Sequence, residues 1–416
     1  MGSIPARNRT ELLRQQHIAQ QQQKKPASNK DDTVLRPIIT SINGNVAWIV
    51  SVPRPAGASP PSTKAYYHVV VDPWFGEPAI FVHKFVLAMT LATPPAMKNK
   101  EDVEQAIREI EAAAAAAAGG AKMSTAKEKE QLVDAFVVTG GVEHAMRTSM
   151  TQFSPSIPVF VAKLSYENVR AWNYFDKVVF LEPFVPSTPA ADDDDDDDDS
   201  GTSTKGTWSS ANSGAPMPEW LTILSLKVDA FNNFAIALVT ASGGAASAPG
   251  SGTEQQQQGE AIILAPHGVY SGEPALTALL TPAPSPDNSA TGGDVANGAL
   301  ARPPLPPRVL AYLGPFKDSY SLGMRTLCGV TEVLCMAQAF QDGIKYYVHN
   351  GDLPEGDLLY GGLLSYSLRD DPKTLEWGVE QLRSGKGGDG VVYGAEAELK
   401  VPEEVVVGNG ESRVLV

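Results

Sequence analysis

Between Val133 and His144 the chain reads Val-Asp-Ala-Phe-Val-Val-Thr-Gly-Gly-Val-Glu-His, and no other stretch narrows the choice of fold as much. Val133 to Val138 is a mostly apolar run of the length expected for a buried strand. The Gly140-Gly141 pair permits a tight turn after it. Glu143 and His144 then fall at the strand's end, on the rim of whatever sheet the strand joins.

With 416 residues, 43% of them hydrophobic, the chain can bury a sizeable core in one large or two ordinary domains. Its net charge of −15 is concentrated, because Asp192 to Asp199 supply eight of the negative charges in one block. Such a run repels itself and is expected to be solvated and disordered. The remainder is modestly acidic and has no basic stripe, which argues against nucleic acid as a partner. No apolar run approaches the roughly 18 residues of a membrane span. Residues 1–35 read as a polar, disordered N-terminal arm without a signal-peptide core. Cys328 and Cys335, on one expected helix, stand seven residues and about two turns apart, too far for a disulfide. Reduced cysteines fit a cytoplasmic chain. The expected partner is then a small-molecule substrate or ligand, and the sequence specifies no protein partner.

Order is expected from Arg36. Ile38 to Ile42, the hairpin signal Asn43-Gly44 and Val46 to Val52 predict two paired strands. Tyr66 to Val71 predicts a third and Ala79 to Ala88 a fourth, antiparallel in character as a set. Glu101 to Ala118 has helical composition, and its seven late alanines read as a surface extension. Pro158 to Val161 and Lys177 to Phe180 predict strands around a short helix over Ser165 to Ala171. Trp220 to Leu226, Phe234 to Thr240, Ala261 to Leu264, Val309 to Leu313 and Lys345 to Val348 predict further strands. Leu322 to Gln341 is the best amphipathic helix, and Val405 to Val416 suggests a closing hairpin. Residues 187–215, 243–259 and 285–307 are low in complexity and are expected to be disordered insertions. This order suits an α/β (α+β) fold of two mixed β-sheets packed face to face with helices outside. One domain over 36–384 would be followed by a C-terminal extension over 385–416.

Several stretches then point the same way. They are Ile39 to Gly44, Trp48 to Pro53, Val133 to Val138, Ile157 to Phe160, Ala265-Pro266-His267-Gly268 and Tyr346 to Asp352. In that order, over roughly residues 36–382, the chain resembles a divergent metallo-β-lactamase-like protein of the metallo-hydrolase superfamily. The resemblance implies an αββα sandwich. It also implies loops above the sheet edges whose imidazoles and carboxylates hold one or two divalent metals, usually zinc. Such a metal lowers the pKa of its water to about 7, for attack on an ester, amide or thioester carbonyl.

The resemblance also implies where ligands should stand. The family's His-x-His-x-Asp-His turn falls on Thr139 to His144. Glu143 and His144 fill its last two places, Thr139 stands at the first, and no histidine fills the second. Asp229 lies in the stretch where the next histidine is expected. His267 takes the place of the bridging carboxylate. Gly351 takes that of the last histidine, with His349 and Asp352 beside it. The surviving metal set is therefore Glu143, His144, His267 and Asp352, with Asp229 or His349 as further candidates. The chain has six histidines, including His17 in the arm and His68 and His83 in strands, too few for a full dinuclear centre.

Each candidate has a plainer reading. His144 suits a hydrogen-bonded loop residue, and Glu143 an acid favoured at a helix start by the dipole. His267 suits a Pro-His-Gly turn, His349 can point away by strand alternation, and Asn350-Gly351-Asp352 resembles a turn. No Gly-x-Ser-x-Gly elbow and no phosphate-cradling loop is present. Three functions stay open. The metal centre has decayed, leaving an inactive protein (a pseudoenzyme) or a weak, altered hydrolase. Alternatively, a reduced mononuclear site around His144, His267 and a carboxylate works with one divalent metal such as zinc. The third is a non-catalytic module that binds a small ligand or a protein.

Overall fold

The computed structural model describes residues 9–23, 35–55, 57–58, 62–117, 131–184, 213, 215–226, 234–240, 258–280, 306–350, 358–386, 393 and 397–416. After α1 (Arg9–Gln23), strands β1 (Ile38–Ser41), β2 (Trp48–Pro53) and β3 (Tyr66–Val71) form an antiparallel meander. Gly44, at φ +71, takes the left-handed conformation needed in its first turn. β4 (Ala79–Phe81) and β5 (Leu87–Leu91) fold out of that sheet as a hairpin, where one strand over Ala79 to Ala88 was expected. α2 (Lys100–Ala117) leads back to β6 (Ala135–Val138), which pairs parallel with β3. Beyond α3 (Arg147–Met150), β7 (Val159–Val161), α4 (Lys163–Ala171) and β8 (Val178–Phe180) continue the parallel half.

A second sheet takes β9 (Pro183–Phe184), β10 (Leu221–Leu226), β11 (Ala235–Thr240) and β12 (Glu260–Leu264). After α5 (Pro274–Leu280) comes β13 (Arg308–Leu313), then the outlying hairpin of β14 (Asp318–Ser321) and β15 (Met324–Leu327). α6 (Val330–Ala339) returns the chain to β16 (Ile344–His349), so that β12, β13 and β16 run parallel. β17 (Leu358–Gly361) joins β5 and β4 in one small sheet, and β18 (Arg369–Asp371) joins β14 and β15 in another. α7 (Leu375–Arg383), β19 (Glu403–Val406) and β20 (Ser412–Val414) complete the described elements. Each large sheet has seven strands and is mixed, in keeping with the α/β class read from the sequence.

Alternation along the strands sends side chains into two different layers. Val50, Val69 and Val137 of the first sheet meet Ile236, Leu238 and Ile262 of the second in a core between the sheets. On the far side of the first sheet, Ile49, Val70 and Phe136 pack under Val103 and Ile107 of α2 and Val169 of α4. On the far side of the second, Ile263, Tyr312 and Tyr347 pack under α5, α6 and α7 through Leu276, Leu334 and Leu382. Covered on both faces, these strands need apolar residues at nearly every position, hence their continuous apolar runs.

Five expectations are corrected. Residues 9–23 of the supposed arm form a helix whose Leu13 and His17 are buried. It has no apolar stripe of its own; docking holds it, through Leu13 on Ile110, Ala113 and Ala114 and the 2.7 Å Arg9–Glu109 ion pair. The alanine run of α2 is therefore partly an interface, since small side chains let α1 approach. The helix expected over Leu322 to Gln341 is a strand and a shorter helix. Leu322 and Gly323, both at positive φ, make the two-residue turn of the β14–β15 hairpin, which ends before α6 begins. Cys328 accordingly precedes α6, while Cys335 lies on it; both are buried free thiols. The closing hairpin is absent too: β19 pairs with β16 in one sheet and β20 with β1 in the other. Val407 and Leu415, buried between the sheets, reward that crossing where a hairpin would expose them. The low-complexity insertions lie almost wholly outside the described residues. No helix among the described residues is long and apolar enough to cross a membrane.

Candidate metal centre

The parallel strands end on a common rim, the usual place for ligands in open α/β sheets. β3 delivers Asp72 there, β6 the turn from Thr139 to His144, β12 the turn carrying His267, and β16 His349 and Asn350. All these strand ends line one cavity of about 380 Å³, with Asp72, Thr139, Glu143, His267, Gly314 and His349 in its wall.

Local packing fixes each turn. Ser165 of α4 donates to the carbonyls of Gly140 and Gly141 and pins the first turn from beneath. A side chain at residue 140 would place its Cβ 2.1 Å from the Phe234 ring and 2.8 Å from His144 Cδ2, so only glycine lets the turn close. Val142 to His144 then form a single 3-10 turn that aims Glu143 and His144 at the second sheet. Opposite, Gly268 N–H donates to Ala265 O at 2.8 Å, and Gly268 holds φ +77. A Cβ there would lie 1.9 Å from Cys328 O. Cys328 N–H also donates to His267 O at 3.0 Å, which fixes the position of the histidine.

Three ligand-type atoms converge. His144 Nε2 lies 3.2 Å from His267 Nε2, His267 Nε2 lies 3.1 Å from Glu143 Oε1, and His144 Nε2 lies 3.3 Å from the same oxygen. A tetrahedral zinc with bonds of about 2.0–2.1 Å needs its ligand atoms about 3.3 Å apart. The triangle therefore fits such an ion, and its two partly exposed members, Glu143 and His267, face the cavity.

Behind the triangle, His144 Nδ1 lies 2.8 Å from Asp72 Oδ2, and Asp72 also accepts from Thr139 N at 2.8 Å and Thr139 Oγ1 at 2.5 Å. The carboxylate thereby holds the proton on Nδ1 and turns the Nε2 lone pair toward the other two residues, as metal-bound histidines usually require. Phe234 closes one side, edge-on to His144 at 5.2 Å and against His267 at 4.9 Å. His267 Nδ1 is buried and has no hydrogen-bond partner among the described residues.

Charges here are strongly coupled. Burial pushes the Glu143 carboxyl up, but His144 and His267 outweigh it and hold Glu143 well below the usual carboxylate range. Burial likewise pushes His144 down, yet Asp72 and Glu143 dominate and raise it to about 10. Without a metal, then, His144 is an imidazolium clasped between two carboxylates.

Of the residues expected from sequence, Glu143, His144 and His267 are brought together. Asp352 and Asp229 lie outside the described residues. His349 lines the cavity but is turned to Glu404 Oε1 at 3.1 Å, and its ring stacks on Phe316 at 3.9 Å. His68 is buried, while His83 lies on the exposed β4–β5 turn. The sequence reading missed Asp72 and Phe234. Asp72 had a usable signal, an acid directly after an apolar strand and before Pro73. Phe234 had none beyond its strand.

No protein-family model matches the chain, and no curated protein does. Among solved structures, a possible metal-dependent hydrolase from Veillonella parvula is similar at 10% identity and a TM-score of 0.37, over 91% of this chain and 100% of that one. That likeness is too slight to fix fold or function.

Proposed function

We propose that this chain is a divergent metallo-β-lactamase-like hydrolase with a reduced, three-ligand metal centre made by Glu143, His144 and His267. The observation that carries this reading is the triangle of 3.1, 3.2 and 3.3 Å in the wall of a cavity. Two stacked mixed sheets with helices on their outer faces support the fold assignment. Two imidazoles and one carboxylate are a known catalytic zinc set, with the fourth position left to water or substrate. Bound there, a divalent metal supplies Lewis acidity and a water that ionises near pH 7.

The protein's own residues do the rest. Asp72 keeps the His144 proton on Nδ1 and so keeps Nε2 available. Phe234 shields both imidazoles from water, which strengthens the charges inside. Glu143 and His267 border the cavity, so a carbonyl entering it meets the centre from that side. The reaction adds one water across an ester, amide or thioester.

A second reading has its own support. The same three atoms lie within hydrogen-bond reach, and a charged His144 can hold the cluster together without metal. That is the decayed centre. Metal analysis of protein purified without chelators separates the two. Near-stoichiometric zinc, manganese or iron is expected, lost in both His144→Ala and His267→Ala together with hydrolysis of simple esters. Metal content near zero in the unaltered chain would leave only the decayed centre.

A further inference from the structure

The cavity beside the triangle says more about the substrate than the triangle does. Its polar end is the strand-end rim. Much of the rest of its wall comes from the two small sheets. Leu87 and Met89 of β5, Met324 and Leu327 of β15, and Leu364 and Leu368 all line it. Phe81, Leu322 and Met324 line the cavity and are also exposed, at 39%, 66% and 57%, so the entrance itself is apolar. Soluble proteins rarely leave such surface open without a use.

Charge points the same way. Among the described lining residues, Lys317 is paired with Asp370 at 2.8 Å, Asp72 is committed to Thr139 and His144, and His349 is turned to Glu404. Glu143 and His267 belong to the triangle. The wall thus offers an anionic headgroup little attraction, and its leucine, methionine and phenylalanine side chains offer hydrocarbon contact beside the uncharged Ser319, Ser321 and Thr326. Its methionine and leucine side chains suit flexible chains, since methionine adapts its shape at small cost. The volume, about 380 Å³, lies at the small end of ligand cavities.

We infer that the cavity receives an uncharged, straight aliphatic chain, the acyl portion of an ester or thioester whose carbonyl reaches the Glu143–His144–His267 end. This rests on the hydrolase reading for the carbonyl, while the chain site stands on the cavity alone.

The test uses the full chain and n-alcohols from butanol to decanol, measured by displacement of Nile red. Affinity is expected to rise about fourfold for each added methylene, the gain from burying one CH₂ group, until the cavity is full. Met89→Trp and Leu327→Trp, which fill the cavity, should abolish that increase. Leu359→Trp, at an exposed side chain of β17 that is not among the residues lining this cavity, should preserve it. Affinity independent of chain length in the unaltered protein overturns the inference, whatever the variants do. His144→Ala should lose metal and keep the increase, whereas an unaltered protein that holds no metal yet still sorts alcohols by length supports the chain site and sinks only the hydrolase reading. A protein that holds metal and cleaves acetyl esters but ignores chain length sinks only the inference.

Discussion

Two buried histidines, one within a strand of the first sheet and one in the turn beyond a strand end, have the same kinds of neighbour and opposite uses. His68, in β3, lies under α2: its Nδ1 meets Ser51 Oγ at 2.9 Å and its Nε2 meets Glu111 Oε1 at 2.9 Å. Glu111 also accepts from the backbone N–H groups of Ala65 and Tyr66, at 2.7 and 3.0 Å. On paper this is a serine, a histidine and a carboxylate. Yet His68 and Ser51 are wholly buried, every ring nitrogen is matched, and the group borders no cavity described here. Such a network ties a strand to a helix and has nowhere to admit a substrate. His144 is buried as completely, but its Nε2 points at two more ligand atoms that face a cavity. What separates structure from site is not residue type or burial but whether the converging atoms open onto space.

The largest expected effect breaks the comparison at the structural end. Glu111→Ala leaves His68 and two backbone N–H groups without their acceptor, and should cost about 3 kcal/mol or more of stability in denaturant unfolding. Metal content of the fraction that remains folded should not change. If metal were lost as well, the two networks would be one.

Asp72→Asn tests the other end with a smaller effect. An amide facing Nδ1 favours the proton on His144 Nε2, which removes the lone pair from the triangle. Metal affinity should fall about 10–100-fold in a chelator competition, with little change in the folded metal-free protein's circular dichroism. Unchanged affinity would mean that Nε2 of His144 holds no metal.

The smallest effect lies in the pH dependence of stability. Metal-free His144 is raised to about 10, from near 6.5 when unfolded. Its contribution is therefore complete below about pH 6.5 and is lost as pH climbs toward 10. Glu143, held well below the usual range, adds stability above pH about 4.5 and loses it as acid protonates it. Thermal unfolding of chelated protein should thus decline on the alkaline side. Metal-loaded protein should instead lose its ion on acidification, because protons compete for the ligands. Identical profiles with and without metal would rule out engagement of His144.

Much of the frame was legible beforehand. β3 and β10 fall within a residue of the expected strands, because each is apolar over a length only a strand needs. The Glu143-His144 pair was visible for the same reason, as polar residues after a buried run. Where reading failed, the deciding contact was distant. α1 has little intrinsic amphipathicity and is held by α2, nearly a hundred residues away. Leu322-Gly323 turns a hairpin because β18, far along the chain, supplies the third strand of its sheet.

Sequence alone therefore determined the mixed α/β class and the apolar strands, and it put Glu143, His144 and His267 among its candidate ligands beside Asp352. Only the tertiary structure decided that His144 meets His267 across 123 residues, that Asp72 orients it, and that His349 turns away. The reason is physical: periodicity and turn chemistry act within a few residues. An approach of 3 Å between imidazoles is set instead by how two separate sheets stack and where their strands stop.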